Sequence, residues 1–258
     1  MRLERTVYVF ALAAVLLVFG VIAVCGAERS DGIVGKVPNY QYANIAPLPG
    51  AGIAIDAKGN LDGNGAMQLN IPVAYTPGWG YVSLNEFQGE HPVHGSPRWS
   101  NGSSIFGLGF FSTRRVYMSG MQVSRVWEEA KTLSGQMVVL DETEKMPAIS
   151  LGMQDILKKE PNGRSPYLVV TKSLEAAGHP LYATLGYGGG RFLRKPFAGI
   201  SMPVAGCVNL LAEWDGFQMN SGVAYRPGGR SGKLTVMAAY NGHAGILVGG
   251  SVACTFAR

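Results

Sequence analysis

Apolar side chains alternate with small or polar ones over much of the second half of the chain. In residues 246–256, one parity holds Ile246, Val248, Val252, Cys254 and Phe256, and the other holds Leu247, Gly249, Ser251, Ala253 and Thr255. Because successive side chains of a strand point to opposite faces, this stretch predicts a strand with one apolar face and one small, mildly polar face. Behind an export signal, such a pattern favours a β-barrel with lipid outside and water inside.

The first 27 residues have the form of a cleaved signal peptide. Arg2 and Arg5 precede an apolar run over residues 7–24, and small residues follow it up to Ala27, after which we place the cleavage site. Two alternatives stay open. The apolar run is close to the minimum length of a membrane-spanning helix, so an uncleaved anchor is one of them. Lipidation of Cys25 is the other.

The composition narrows the class of protein further. The 258 residues carry a net charge of +5 without a cluster of Lys or Arg, so nucleic acid is not an expected partner. After cleavage only Cys207 and Cys254 remain, too few for a disulfide framework. The 36 glycines suit a barrel wall that needs close approach and tight turns. Since no later window is apolar enough for a membrane-spanning helix, membrane insertion would require a closed barrel.

The pattern predicts a domain order of signal peptide (1–27), extended N-terminal segment (28–49) and β-barrel domain (50–258). Strands are expected at 52–56, 66–75, 79–87, 104–113, 116–127, 132–140, 146–156, 167–174, 181–188, 197–204, 208–215, 219–226, 233–240 and 245–256. We expect an all-β fold, an antiparallel up-and-down transmembrane β-barrel of about 12 strands, within a range of roughly 10 to 14. The same spacing also fits a β-sandwich.

Aromatic residues end the apolar parity of several strands. Tyr187, Trp214 and Tyr240 hold this position, and Phe256 ends the closing strand. Outward aromatics at strand ends are typical of the interfacial girdle of a membrane barrel, so these four are predicted to face lipid or the girdle.

Six short motifs occur in order between residues 140 and 227. They are the hairpin LDETEKMPAISLGMQDI at 140–156, YLVVTK at 167–172, LGYG at 185–188, FAGI at 197–200, LAEWDG at 211–216 and GVAYRP at 222–227. Together they resemble YjbH-type proteins, which are outer-membrane β-barrels of diderm bacteria linked to exopolysaccharide. The resemblance implies an outer-membrane location reached through the assembly machinery, with membrane lipid and polysaccharide as partners.

The charged residues inside these motifs are Asp155, Lys172, Glu213, Asp215 and Arg226. We expect them to line a water-filled lumen, because a polar lumen carries its charges on the inward parity. Glu213 and Asp215 also have the spacing of an acid–base pair, but no further catalytic motif accompanies them. His91 and His94 have a spacing that suits one metal ion, yet no Cys or third His is near and Glu90 is the only close carboxylate, so neither a metal nor a cofactor is expected.

The sequence therefore predicts a non-enzymatic outer-membrane barrel that serves exopolysaccharide export or assembly as a channel or scaffold. The alternative is a secreted, soluble β-sandwich that binds carbohydrate through Trp79, Trp99 and Tyr81.

Overall fold

A computed structural model describes residues 47–89, 102–123, 131–159, 163–176, 178–242 and 245–256. The predicted signal peptide, Cys25, His91, His94 and Trp99 lie outside these residues. The described strands are β1 (Tyr81–Gly89), β2 (Gly102–Phe110), β3 (Val116–Val123), β4 (Lys131–Leu140), β5 (Ala148–Gln154), β6 (Ser165–Ala176), β7 (His179–Gly188), β8 (Lys195–Pro203), β9 (Val208–Trp214), β10 (Met219–Tyr225), β11 (Leu234–Asn241) and β12 (Gly245–Thr255).

The twelve described strands form one closed antiparallel barrel, which confirms the predicted fold class. Each strand pairs with its neighbours in sequence, and β12 pairs with β1 from Tyr81↔Thr255 to Gly89↔Leu247. The connectivity is therefore up-and-down. Because all twelve strands belong to a single closed sheet, the β-sandwich alternative is wrong. No helix among the described residues has the length and apolar character to cross a membrane.

The two ends of the barrel differ in their connections. At the near end β1 begins and β12 ends, and the turns there span 111–115, 141–147, 177–178, 204–207 and 226–233. At the far end the connections span 90–101, 124–130, 155–164, 189–194, 215–218 and 242–244. The longest connection is thus at the far end and the shortest at the near end.

Apolar side chains cover the outside of the wall. Exposed large hydrophobic residues lie on every strand except β3. Examples on successive parts of the wall are Leu84, Phe106, Met137, Leu151, Leu168, Leu185, Ile200, Trp214, Tyr225, Val236 and Val248. On β12, Val248 is 52% exposed and Leu247 is 0% exposed, so the apolar parity of residues 246–256 faces outward. This arrangement is the reverse of a water-soluble barrel.

The first two expected strands, 52–56 and 66–75, are not part of the wall. Both lie inside the barrel, where they form only isolated bridges such as Ile55↔Ala66. The sequence pattern predicts that residues 50–80 belong to the barrel domain. The wall begins only at Tyr81, so these residues do not form part of it. In the second stretch, the apolar side chains Met67, Leu69 and Ile71 share one parity. Gln68 and Asn70 of the opposite parity are buried as well. A segment enclosed by a closed wall has no sheet edge to join.

Inward-facing aromatic rings lie over glycines of the neighbouring strand. Phe197 is directly opposite Gly186, and Tyr167 is opposite Gly152. A Cβ atom at residue 186 would lie 2.1 Å from Cζ of Phe197, and one at residue 152 would lie 2.2 Å from Cζ of Tyr167. Glycine is therefore required at these wall positions by space, since the ring occupies the volume that a side chain would take.

We expect Gly186→Ala to lower the free energy of unfolding by about 1–3 kcal/mol, because Phe197 must leave its position over the wall. Urea unfolding followed by gel mobility measures the change. Gly120→Ala is the matched control, since its added Cβ meets only the carbonyl oxygen of Thr132 at 4.0 Å. Equal losses in the two variants would contradict the steric explanation.

Candidate functional site

The barrel interior is occupied by residues 47–78, here called the interior segment. The segment passes Ser119 of β3 at Pro47 and turns at the near end over residues 56–60. It then crosses the barrel toward the far end, where Leu69 and Asn70 contact Glu213, and it returns to the near end before β1. Most of its side chains are buried, so this interior is the site that any proposed function must explain.

Side chains of the wall satisfy the backbone of the interior segment. Hydroxyl and amide groups on eight of the strands make these bonds, in addition to the carboxylate of Glu213. Two hydroxyl oxygens accept N–H groups of the segment: Ser201 Oγ accepts the Met67 N–H at 3.0 Å, and Thr171 Oγ1 accepts the Ala74 N–H at 2.8 Å. Five wall side chains donate to its carbonyls: Ser119 to Pro47, Asn85 to Ala51, Gln136 to Val73, Ser150 to Ala74 and Asn209 to Gly65. Tyr182 donates its hydroxyl to the Asn64 carbonyl. Buried backbone groups need such partners, because leaving one unpaired costs about 1–3 kcal/mol.

Two apolar clusters hold the same segment against the wall. Met67 and Leu69 share one cluster with wall residues Phe87, Leu211 and Leu247. Ile71, Val73 and Tyr75 share the other with Tyr167, Val169 and Phe197 of the wall. Burial of each large apolar side chain contributes about 1.5–3 kcal/mol, so the segment is a packed part of the fold.

Glu213, the last residue but one of β9, binds the interior segment. The carboxylate is fully buried and faces inward. Its Oε2 accepts the Leu69 N–H at 2.9 Å, and its Oε1 accepts the Asn70 N–H at 2.6 Å. Asn220 of β10 donates its side-chain amide to Oε1 at 3.0 Å. Because one carboxyl group makes three buried hydrogen bonds, Glu213 is a strong polar anchor of the segment.

Asp215 continues the same polar group into the turn after β9. Its Oδ1 accepts the backbone N–H groups of Phe217 and Gln218 at 3.0 and 3.1 Å, and its Oδ2 accepts the Asn220 amide at 2.8 Å. Burial raises the pKa of Asp215 to about 6, although these hydrogen bonds favour the ionised form. Asp215 therefore shapes the turn and orients Asn220 toward Glu213.

Near-end anchors come from the turn between β4 and β5. Glu142 accepts the Tyr75 hydroxyl of the interior segment and the Ser173 N–H of β6. Asp141 forms an ion pair with Arg115, and Arg115 donates through Nε to the Thr76 carbonyl at 2.8 Å. Two acidic residues of this turn thus hold the part of the interior segment that leads into β1.

A second near-end anchor holds the turn of the interior segment. Arg230 donates to both carboxylate oxygens of Asp62, at 2.6 to 2.9 Å, and its carbonyl accepts the Gly63 N–H at 2.8 Å. Burial alone would raise the pKa of Asp62, but Arg230 and the Asn64 N–H lower it below its usual value. Asp62 is therefore ionised at neutral pH, and the anchor is lost as the pH falls through that lowered pKa.

The five predicted lumen residues divide into two groups. Glu213, Asp215 and Arg226 share the inward parity, and Arg226 Nη1 donates to the Arg230 carbonyl at 3.1 Å. Asp155 is buried after β5, and its Oδ1 accepts the Lys159 N–H at 2.8 Å. All four side chains are buried, and residues 47–78 occupy the interior that was expected to hold water.

Lys172 does not face the interior. It has the outward parity of Leu168 on β6, just past the last pair that β6 makes with β5, Ala148↔Thr171. There it forms an ion pair with Glu142 at 2.9 Å and donates to the carbonyls of Thr143 and Glu144. The prediction was wrong because β6 extends beyond β5, which lets an outward charge bind the adjacent turn.

The four predicted girdle residues all lie on the outer surface. Tyr187, Trp214 and Tyr240 lie at or next to the ends of β7, β9 and β11, which run in the same direction, so all three are at the far end. Tyr187 and Trp214 are 53% and 41% exposed, and Tyr240 is half-buried. Phe256 is exposed at the near end, and its N–H donates to the Gly80 carbonyl at 2.8 Å beside the closing strand pair.

Sequence reasoning missed the anchors Tyr75, Arg115, Glu142, Asn220 and Arg230. The signal available in the sequence was the hairpin at 140–156, whose turn carries Asp141 and Glu142. Among the described residues, no group of three His, Cys, Asp or Glu side chains could hold a metal ion. Cys207 and Cys254 are unpaired.

No family model, curated protein or solved structure matches this chain.

We expect Glu213→Gln to loosen the interior segment, because an amide nitrogen would face the N–H groups of Leu69 and Asn70. The readout is maleimide labelling of Ala54→Cys, a buried position of the segment, in a chain whose native cysteines are replaced by alanine. Labelling is expected to accelerate by about tenfold or more, since one unpaired buried group costs about 1–3 kcal/mol.

The control is Glu86→Gln, the same change on the outer face of β1. It should leave the labelling rate unchanged. A Glu213→Gln variant that labels as slowly as the parent would show that the carboxylate does not anchor the segment.

Proposed function

We propose that this chain is a non-enzymatic outer-membrane β-barrel that acts as a closed scaffold, and not as an open channel, in exopolysaccharide export or assembly. The observation that carries the membrane assignment is the outer face of the wall, where large apolar side chains predominate and the charged side chains Glu86 and Lys172 lie toward strand ends. In water this outer surface would be an extended exposed apolar patch, which soluble monomers avoid. In a bilayer it matches the lipid-facing band of a membrane barrel.

The two ends suggest an orientation. Membrane barrels have short periplasmic turns and longer external loops. The near end, with its two-residue turn at 177–178, therefore fits the periplasm, and the far end fits the outer surface. The far end also carries Tyr187, Trp214 and Tyr240, which suit an aromatic girdle at the outer interface.

The occupied interior favours a scaffold over a channel. Residues 47–78 bind the wall through backbone hydrogen bonds from many strands and through two apolar clusters. The buried carboxylates Glu213 and Asp215 accept hydrogen bonds from backbone and amide donors, which supports a structural role and not acid–base chemistry. The link to exopolysaccharide rests on the resemblance of residues 140–227 to YjbH-type proteins.

The membrane assignment predicts that Leu185→Arg impairs insertion. Leu185 is 59% exposed on the outer face of β7, and an arginine there would lower the stability of the inserted barrel by about 2–4 kcal/mol. Heat-modifiable gel migration and the outer-membrane fraction measure insertion. Leu157→Arg is the matched control, because Leu157 is a 53% exposed leucine in a far-end loop and should tolerate the same change.

The closed interior predicts that the wild-type protein conducts no ions in a planar bilayer. Glu213→Lys places a cation against the N–H groups of Leu69 and Asn70 and should open transient conductance. Glu86→Lys on the outer face serves as the charge-matched control. Stable conductance by the wild type would favour a channel.

The exopolysaccharide role is tested in the host cell. Loss of the protein should reduce surface polysaccharide, and the wild-type chain should restore it. If Leu157→Arg restores surface polysaccharide and Leu185→Arg does not, the role in polysaccharide export or assembly requires the inserted barrel. Unchanged polysaccharide in the absence of the protein would overturn the role while leaving the membrane assignment standing.

A further inference from the structure

Among the described residues, the exposed charged side chains at the far end of the barrel above β5 to β8 are all cationic; Glu160 of the same loop lies outside the described residues. The exposed charged side chains in the described residues of the two loops there, and at the start of β8, are Lys158, Lys159, Arg164, Arg194 and Lys195. The acidic residue described in the same loops, Asp155, is buried. We call these five cations the basic rim.

The loops that carry the basic rim are fastened to each other. Arg191 is buried, its Nη1 donates to Gln154 Oε1 at 2.9 Å, and its N–H donates to Ser165 Oγ at 2.8 Å. Arg164 donates through Nε to the Ile156 carbonyl at 3.0 Å. The rim is therefore a preorganised surface, which lowers the entropy cost of binding a ligand.

Two of the rim residues have an uncommon backbone conformation. Lys158 and Arg194 have φ values of 56° and 57°, in the left-handed region that side-chain-bearing residues seldom adopt. Leu193, with a φ of 49°, is in the same region and is exposed. Such conformations cost free energy and concentrate where a surface has a function.

The basic rim lies directly beyond the outer aromatic residues. Tyr187 is paired with Leu168 and Pro196, and the next pair toward the far end, Gly188↔Lys195, already holds a rim cation. Lys195 Nζ lies 4.4 Å from the centroid of the Phe217 ring. Aromatic residues mark the interface of a membrane barrel, so the cations lie at the depth of the lipid headgroups.

The near end offers the contrast. Its exposed charges have both signs, because the cations Lys58, Arg114, Lys145, Arg230 and Lys233 are accompanied by the carboxylates Asp141, Glu144 and Glu175. Neighbouring carboxylates weaken the attraction of such a surface for an anion.

We propose that the basic rim binds the phosphate groups of a phosphorylated glycolipid in the membrane leaflet at the far end. This inference rests on the proposed outer-membrane location. A lipid phosphate fits better than a soluble anion, because the cations are next to the girdle and are accompanied by the exposed apolar side chain of Leu193. Lysine and arginine are the side chains that bind phosphate most strongly, through charge-assisted hydrogen bonds.

The test measures binding of diphosphoryl lipid A to the purified full chain in neutral detergent by native mass spectrometry. The rim variant is Lys158→Gln, Arg194→Gln and Lys195→Gln combined. Its dissociation constant is expected to rise by about tenfold or more, because each cation near an anionic headgroup strengthens binding. Monophosphoryl lipid A should bind the wild type more weakly than the diphosphoryl form.

The control variant makes the same charge change at the near end, with Arg114→Gln, Lys145→Gln and Lys233→Gln combined. Heat-modifiable migration verifies that both triple variants are folded. The proposal is overturned if the rim variant binds like the wild type, if both variants lose affinity equally, or if the two lipids bind the wild type equally well. Failure of the wild type to insert into vesicles would instead refute the membrane location, so the two failures are distinguishable.

Discussion

The structure depends on one constraint: the polypeptide inside the barrel cannot join a sheet, so the wall must satisfy its backbone. A closed barrel has no free edge, and residues 47–78 lie inside it except for the near-end turn, where Lys58 and Asn60 are exposed. Their N–H and C=O groups are bound by Ser, Thr, Asn, Gln and Glu side chains on the inward parity. In the sequence, this polar inward face resembles the lining of a water-filled lumen. In the structure, its side chains bind the chain's own backbone instead of water.

Glu213 shows how this constraint connects distant parts of the chain. Its carboxylate binds two successive N–H groups of the interior segment and an amide from the next strand. At the other end of the barrel, Glu142 and Arg230 bind Tyr75 and Asp62 of the same segment. Charged groups at both ends, joined by apolar packing between them, explain how a segment without regular structure stays in the barrel.

Much of the wall could be predicted from the residues alone. Alternation located all twelve strands to within a few residues, because a closed wall whose two faces have different surroundings imposes a period of two on every strand. Lys172 shows the limit of reasoning from charge. Its parity with Leu168 already placed it outward, yet its charge suggested a lumen, and only the extension of β6 past β5 explains why an outward lysine is tolerated.

The sequence by itself determined the strands, their apolar outward face and the aromatic residues at their ends, because these follow from local periodicity. Only the tertiary structure decided that residues 52–56 and 66–75 fill the barrel instead of extending its wall. Alternation reports that one side of a segment is apolar, but it does not report what covers the other side. That depends on where the sheet closes, and the pairing of β1 with β12 leaves those residues inside.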